Sequence, residues 1–132
     1  MVVIDTHILV WWVSGSEPLT RAASKAIKTA LSTGSEVLIS SITAWEISML
    51  VEKGRISLSM DIESWLNEVS SIDGVRFVPV DNEIGVKSTI LPGDFHKDPA
   101  DRIIVATARK FAVPVVTADG KIIDYEHVQT IW

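Results

Sequence analysis

Four acidic residues, Asp5, Glu46, Asp101 and Asp119, lie at or shortly after the ends of apolar stretches or at a predicted helix start. Carboxylate oxygens are the ligands that Mg²⁺ and Mn²⁺ prefer, and these ions also keep bound water. The chain has no cysteine and only three histidines, so a zinc site is a poorer match. Four acids packed together would repel one another, and bound divalent cations would relieve that repulsion. Such a site suits phosphodiester hydrolysis, because a metal ion can activate water and neutralise charge on the phosphate.

Each acid also has a local structural explanation. Asp5 can cap the short helix that follows the first apolar run, and Asp119 can belong to an Asp-Gly turn. Thr43 and Glu46 have the spacing of an N-terminal capping box. No local pattern separates a cap from a catalytic residue. The interpretation as a site therefore depends on whether these chain segments end at the same edge of one sheet.

The stretch HKDPADRIIVATA, residues 96–108, contains the best-marked helix start. Asp98 is a strong N-cap candidate, and Pro99 fits the first helical position. Asp101 then falls in the first turn, where a negative charge also suits the helix dipole. We interpret Asp98 as the cap and an accessory acid, and Asp101 as a metal ligand. Arg102 is a supporting candidate that could contact a phosphate or pair with a surface acid.

Apolar strands alternate with helical patterns along the chain, which predicts an α/β fold with a mostly parallel five-stranded sheet and helices on both faces. The predicted strands are residues 2–5, 36–40, 75–80, 113–120 and 127–132. The predicted helices are one or two turns in 6–13, then residues 16–34, 41–54, 60–72, 81–91 and 98–112. Pro79 favours an edge position for the third strand. In open sheets of this kind, ligands bind beyond the carboxyl ends of the strands, where the four acids are expected.

The length and composition predict a single domain over residues 1–132. The apolar N-terminus MVVIDTHILVWWV lacks a basic region and is interrupted by Asp5 and His7, so we expect neither a signal peptide nor a membrane span. We therefore expect a soluble, cytoplasmic protein without a membrane partner. The net charge of −5 argues against a general polyanion-binding surface. Bound divalent cations would still let one local surface accept phosphates.

Four segments carry a resemblance to a known family: VVIDTHILVWW, SSITAWEISMLVEKGRI, HKDPADRIIVATA and VPVVTADGKI. In their order, their spacing and the total length, the chain resembles the PIN-domain ribonucleases, in particular the VapC-type toxins of type II toxin–antitoxin pairs. The resemblance implies a Rossmann-like PIN domain and an endoribonuclease that cuts RNA with Mg²⁺ or Mn²⁺. Thr6 and Thr117 match positions that often carry a hydroxyl group beside the metal. The catalytic and metal-binding acids that the resemblance implies are Asp5, Glu46, Asp101 and Asp119.

The resemblance also implies an RNA substrate, a homodimer and a small cognate antitoxin that inserts near the active site. Tryptophans are candidates for such interfaces, although each is individually better explained as core: Trp11, Trp12, Trp45 and Trp65. Trp11 and Trp12 are adjacent and cannot point the same way, so we expect one of them to be exposed. Basic residues are candidate RNA contacts, although a solvated surface explains each of them as well: Arg21, Lys25, Lys28, Lys53, Arg55, Lys97, Arg102, Arg109 and Lys110.

Two other functions stay open on the sequence alone. A phosphoryl-transfer domain of receiver or phosphatase type would also place aspartates and Mg²⁺ at the carboxyl edge of a parallel sheet. The chain lacks the Asp-x-Asp signature of the phosphatases, because His7 stands two residues after Asp5. A receiver needs an acid at the end of its third strand, where the chain offers only Asp81 beyond Pro79. A non-catalytic binding module would use the acids as caps, and metal titration would distinguish it.

Overall fold

The computed structural model describes residues 1–132, in which five strands and seven helices follow one another along the chain. The strands are β1 (Val2–Ile4), β2 (Val37–Ser40), β3 (Val75–Val78), β4 (Val115–Val116) and β5 (Thr130–Ile131). The helices are α1 (Thr6–Ser14), α2 (Arg21–Ser32), α3 (Ile42–Glu52), α4 (Ile62–Ser70), α5 (Asn82–Thr89), α6 (Pro99–Phe111) and α7 (Gly120–Ile123). None of the helices combines the length and the apolar character that crossing a membrane requires.

The five strands form one sheet in the order β3-β2-β1-β4-β5, and every neighbouring pair is parallel. β3 therefore lies at an edge, which confirms the position predicted from Pro79. In the central strand, Val3 pairs with Leu38 on one side and with Val115 on the other. The carboxyl end of β1 consequently lies between those of β2 and β4, and the chain leaves all three at the same edge.

Successive strand residues face two separate hydrophobic cores. Val2 and Ile4 lie in one core, which also contains buried residues of α1, α2, α3 and α4. Val3 and Leu38 lie in the other core, which contains buried residues of α5, α6 and α7. Because both faces of the sheet are covered, its strands consist of continuous apolar runs rather than alternating ones. The predicted parallel sheet with helices on both faces is confirmed, and the sheet is parallel throughout.

Several element bounds differ from those predicted. The helix expected in residues 16–34 begins only at Arg21, because the Thr20 hydroxyl accepts a hydrogen bond from the Ala23 amide and caps the helix there. β4 and β5 have two residues each, so the longer fourth and fifth strands were over-predicted. α7 was missed. It begins at Gly120, in the segment where the sequence predicted a turn.

The tryptophans differ in their environments. Trp65 is buried in the core, as expected, whereas Trp45 is 55% exposed on α3. Trp11 and Trp12 are both half-buried and pack against the first core. The expectation that one of this pair would be exposed is therefore wrong. Two adjacent rings on a helix can both reach the core when each points to a different side of it.

Candidate active site

The carboxyl ends of β1 and β4 deliver two of the four acids to neighbouring positions. Asp5 directly follows β1, and its amide donates a hydrogen bond to the Val116 carbonyl of β4 at 3.2 Å. Asp119 lies just beyond the end of β4. The chain runs from β1 to β2 on one side and returns to β4 on the other, so this is the point where the strand order reverses. Open α/β sheets bind ligands at such a point.

Asp5 is buried, with 6% of its surface exposed. Its Oδ1 atom accepts a hydrogen bond from the Ile8 amide at 3.0 Å, which makes it the N-cap of α1. Its Oδ2 atom accepts a hydrogen bond from the Thr117 hydroxyl, which comes from the loop after β4. Burial raises the pKa of the Asp5 carboxyl, although the Thr117 and Ile8 hydrogen bonds oppose the rise, and the nearby Asp119 charge adds to it. Asp5 is thus both the N-cap of α1 and a candidate ligand of the site.

Thr6 connects α1 to the second acid. Its hydroxyl donates to Glu46 Oε1 at 2.5 Å and lies 3.0 Å from the Thr43 hydroxyl. The capping box predicted for Thr43 and Glu46 is therefore wrong. Helix α3 begins before Thr43, with Ser41 as N-cap and no side-chain cap. Both side chains face α1 instead, and Glu46 lies beside the end of β1 rather than over its own helix terminus.

Helix α6 supplies the third acid. Asp98 Oδ1 accepts hydrogen bonds from the Ala100 and Asp101 amides, with Pro99 at the start of the helix, which confirms Asp98 as the N-cap. The pKa of Asp101 is raised to about 7. Its burial is the largest cause, followed by the charges of Asp98, Asp119, Glu46 and Asp5 in that order. All four predicted ligands are thus close enough to influence one another, together with Asp98.

His96 is a neighbour of the site that the sequence interpretation missed. Its Nε2 atom lies 3.0 Å from Asp101 Oδ2, at an angle that does not form a proper hydrogen bond, and it has no other partner. The imidazole ring also packs edge-on against Phe95 at a centroid distance of 4.5 Å. The signal was present, since His96 opens the HKDPAD stretch, but a loop position gives no indication of where a side chain points.

Arg102 has a different role from either of those considered. Its guanidinium group donates to the backbone carbonyl oxygens of Ser88, Phe95 and His96, at 2.8, 3.0 and 3.2 Å. It pairs with no acid, so the predicted surface ion pair is not formed. These three bonds tie α6 to the end of α5 and to the loop that carries His96. Arg102 therefore organises the loop beside Asp101, and its Nε and Nη1 donors are occupied within the chain.

Thr117 and Asp119 form a second local arrangement after β4. The Asp119 amide donates to the Thr117 hydroxyl oxygen at 3.0 Å, and Asp119 Oδ1 accepts from the Lys121 amide at 2.8 Å. Asp119 thereby caps α7 in place of the predicted turn. One hydroxyl group thus binds both the buried carboxyl of Asp5 and the backbone of Asp119. This couples the ends of β1 and β4 through side chains as well as through the sheet.

The donor set fits a hard divalent cation. Its members are oxygen ligands, and the causes of the raised Asp101 pKa show that they repel one another. No three acidic or imidazole side chains are positioned to surround one ion together. An ion shared by all four acids would therefore be held partly through bound water, which Mg²⁺ keeps in its coordination shell. The hydroxyls of Thr6 and Thr117 hold Glu46 and Asp5 in place beside that position.

The end of β3 does not carry the acid that a receiver domain needs. β3 is an edge strand, separated from β1 by β2. The only acid near its end, Asp81, caps α5 through the Ile84 amide and pairs with Lys110 at 3.2 Å. Its carboxylate thus serves an exposed helix start and a surface ion pair. The receiver form of the phosphoryl-transfer alternative therefore has no support in this geometry.

The fold and the acidic edge together define a PIN-type α/β domain. The family model described as PIN domain matches residues 2–128, and the chain belongs to this family. The chain is 33% identical over 133 aligned positions to Ribonuclease VapC22 of Mycobacterium tuberculosis (strain ATCC 25618 / H37Rv), covering 99% of this chain and 98% of that relative.

Solved structures share the fold. A toxin–antitoxin complex from Klebsiella pneumoniae has a TM-score of 0.66 and 19% identity, covering 97% of this chain and 95% of that one. VapBC2 from Rickettsia felis, bound to a DNA fragment from their promoter, has a TM-score of 0.69 and 16% identity, covering 98% and 97%. FitAcB from Neisseria gonorrhoeae has a TM-score of 0.64 and 20% identity, covering 98% and 96%.

Proposed function

We propose that this protein is a metal-dependent endoribonuclease and the toxin of a type II toxin–antitoxin pair. The observation that carries the proposal is the placement of Asp5, Glu46, Asp101 and Asp119 at one edge of the sheet. Thr117 and Thr6 hold Asp5 and Glu46 there, and Asp119 lines the same cleft as Asp5. Burial and then the charges of Asp98, Asp119, Glu46 and Asp5 raise the pKa of Asp101. The 33% identity to a ribonuclease over nearly the whole chain supports the same reaction. Its RNA substrate would be met in the cytoplasm.

In this proposal, Asp5, Glu46, Asp101 and Asp119 hold Mg²⁺ or Mn²⁺ and the attacking water. The bound cation would lower the pKa of water and neutralise charge on the scissile phosphate. The chain supplies orientation: Thr117 fixes Asp5 from one side, and Thr6 fixes Glu46 from another. Asp98 holds the first turn of α6, so that Asp101 points to the other acids. Loss of a contact that orients a metal ligand commonly lowers metal affinity or activity by about 10- to 100-fold.

RNA cleavage with and without added metal tests the proposal. With Mg²⁺ or Mn²⁺, we expect wild-type protein to cut RNA internally, and a chelator to stop the reaction. Asp5→Asn and Asp101→Asn should each lower the rate on the order of 100-fold or more, because each removes a charge that holds the cation. Glu17→Gln is the matched control, since Glu17 is exposed and makes no hydrogen bond or ion pair. Equal rates for wild type and both aspartate variants would show that the assignment is wrong.

Partners belong to the same proposal. The solved toxin–antitoxin structures share this fold, which supports a small cognate antitoxin for this chain. A homodimer is supported by two exposed apolar side chains, Val86 in α5 and Ile90 directly after its end, which are 61% and 69% exposed. A second copy covering them would remove both side chains from water. Val86→Asp with Ile90→Asp should give a monomer by light scattering, whereas a dimer that persists would rule out this face.

A further inference from the structure

A shallow, open cleft beside two of the acids is lined partly by aromatic rings. Its walls are Asp5, His7, Trp11, Ala118 and Asp119, and its volume is about 280 Å³. Small-molecule pockets have volumes of roughly 300–1,000 Å³, so this cleft suits one flat group rather than a large ligand. Neither ring is needed to hold the acids in place. The cleft therefore has an apolar wall that the proposed hydrolysis does not use.

The rings follow from the geometry of α1. Because Asp5 caps this helix, His7 and Trp11 are one turn apart on the same face, next to the carboxyl edge of the sheet. Their ring centroids are 5.9 Å apart and the planes are tilted by 52°. The ring of Trp132 packs against the ring of Trp11, with 6.1 Å between the two centroids. His7 is exposed and Trp11 is half-buried, so the chain leaves part of both rings open to the cleft.

We propose that His7 and Trp11 form a stacking wall for one unpaired RNA base, next to the phosphate that is cut. This inference rests on the proposed function and adds to it a subsite for one base beside the acids. Aromatic side chains of this kind stack on RNA bases that are unpaired and splayed out. A base inside a duplex is covered on both faces by its neighbours and is not available to the wall.

The ring spacing fixes how the base can bind. A base inserted between two parallel rings would separate them by about 7 Å, twice the rise of roughly 3.4 Å per base. His7 and Trp11 are closer than that and are tilted, so no base fits between them. The base must lie against the open sides of the rings, in the cleft that Asp5 and Asp119 also line. Its phosphate is thereby directed toward the acids.

Single-turnover cleavage of an RNA oligonucleotide with one mapped cut tests the stacking wall. The oligonucleotide is compared with two copies that carry an abasic ribose on one or the other side of the cut. We expect one abasic copy to be cut about 5- to 150-fold more slowly by wild type, the range for loss of one base–aromatic stack. Trp11→Leu and His7→Ala should cut the intact RNA more slowly than wild type does. The abasic copy should lower the cleavage rate of these variants by a smaller factor than it lowers the rate of wild type.

Ring-preserving variants separate stacking from folding and from charge. Trp11→Phe and His7→Phe should restore most of the rate. Phe111→Leu is the control, because it removes a half-buried ring about 15 Å along α6 from Asp101. Melting temperatures check that each variant folds.

The outcomes distinguish the two levels of the proposal. If wild type cuts no RNA, the proposed function fails and the stacking wall fails with it. If wild type cuts the intact and both abasic oligonucleotides equally fast, the stacking wall alone is wrong. The same holds if the leucine and alanine variants cut normally but lose binding to a protein partner, because the rings would then belong to a protein interface.

Discussion

Asp101 is the residue whose protonation the site changes most clearly. Its folded-state pKa of about 7 lies above the ordinary value of 3.8, chiefly because the side chain is largely buried among other acids. A carboxyl group with a raised pKa stabilises the folded protein fully at low pH, where it is protonated in the folded state. That contribution is lost as the pH rises through about 7.

We therefore expect the metal-free protein to lose stability between pH 4 and pH 7.5, and Asp101→Asn to flatten this decline. The amide carries no charge, so no ionisation has to occur next to the other acids. Urea unfolding in the presence of a chelator, at several pH values, measures the effect. Glu17→Gln should follow the wild-type curve. Parallel curves for wild type and Asp101→Asn would contradict the prediction.

Thr117 offers a second prediction at the residue scale. Thr117→Val keeps the shape of the side chain but removes the hydroxyl that donates to the buried carboxyl of Asp5. We expect a loss of about 1–3 kcal/mol in the free energy of unfolding at neutral pH. Mn²⁺ affinity should fall about 10- to 100-fold, since the hydroxyl orients a proposed ligand. Thr117→Ser keeps the donor and should behave much more like wild type in both urea unfolding and metal titration.

The sequence indicated which residues belong to the site better than it indicated what their side chains contact. The four acids could be selected from their positions at the ends of apolar runs or at helix starts, and both threonines from the family resemblance. The contacts of Arg102 and the capping box of Glu46 were predicted wrongly, because carbonyl oxygens from a distant loop and a hydroxyl from another helix decide where these side chains point. His96 was missed for the same reason. Contacts between segments that are far apart in the chain leave no local pattern in the sequence.

At the scale of elements, the start of α6 combines two functions in one turn. Asp98 binds the Ala100 and Asp101 amides, and its charge also contributes to the raised pKa of Asp101. Asparagine caps helices about as well as aspartate, whereas alanine does not. The cap and the charge can therefore be removed separately.

Asp98→Asn should change the free energy of unfolding little, and Asp98→Ala should lower it by about 1 kcal/mol. If Asp98 also assists the reaction through its charge, both variants should cut RNA more slowly than wild type by similar factors. Unfolding curves and cleavage rates on the same preparations measure the two effects. A loss of activity in Asp98→Ala alone would show that Asp98 acts only as a helix cap.

The helices with strong start signals were predicted well, and the short elements were not. Asp98 caps α6 as expected, and Asp61 likewise caps α4 at the start of the predicted helix 60–72, because side-chain caps are local. β4 and β5 are two residues long, and α7 is a single turn. Pairing with neighbouring strands and packing on the two cores decide the existence of such elements, which apolar periodicity cannot indicate.

At the scale of the whole molecule, charge limits how RNA can bind. The net charge is −5, and some of the basic side chains are engaged within the chain, among them Arg102 and Lys110. If the phosphate is bound mainly through the cation site, few counterions are released on binding. Affinity would then depend on metal more than on the monovalent salt concentration.

We expect the logarithm of kcat/KM for RNA to fall with the logarithm of salt concentration with a slope shallower than about −2, which corresponds to fewer than roughly three phosphate contacts by basic side chains. The measurement keeps Mg²⁺ fixed and varies monovalent salt. A slope steeper than about −4 would instead indicate an extended basic surface. Arg21→Gln with Lys25→Gln should leave the slope unchanged if the exposed face of α2 does not contact RNA.

The contact between Asp5 and Thr117 joins residues 112 positions apart and has a consequence for synthesis. A ribosome that has produced the first 110 residues has already made Asp5, Glu46 and Asp101. The strand that pairs beside β1, and the hydroxyl and acid that follow it, have not yet been translated. A nascent chain, which folds from its N-terminus, therefore cannot complete this edge before Thr117 and Asp119 have been added. An RNA-cutting protein made in this order is inactive beside its own ribosome until β4, Thr117 and Asp119 have been added and have folded.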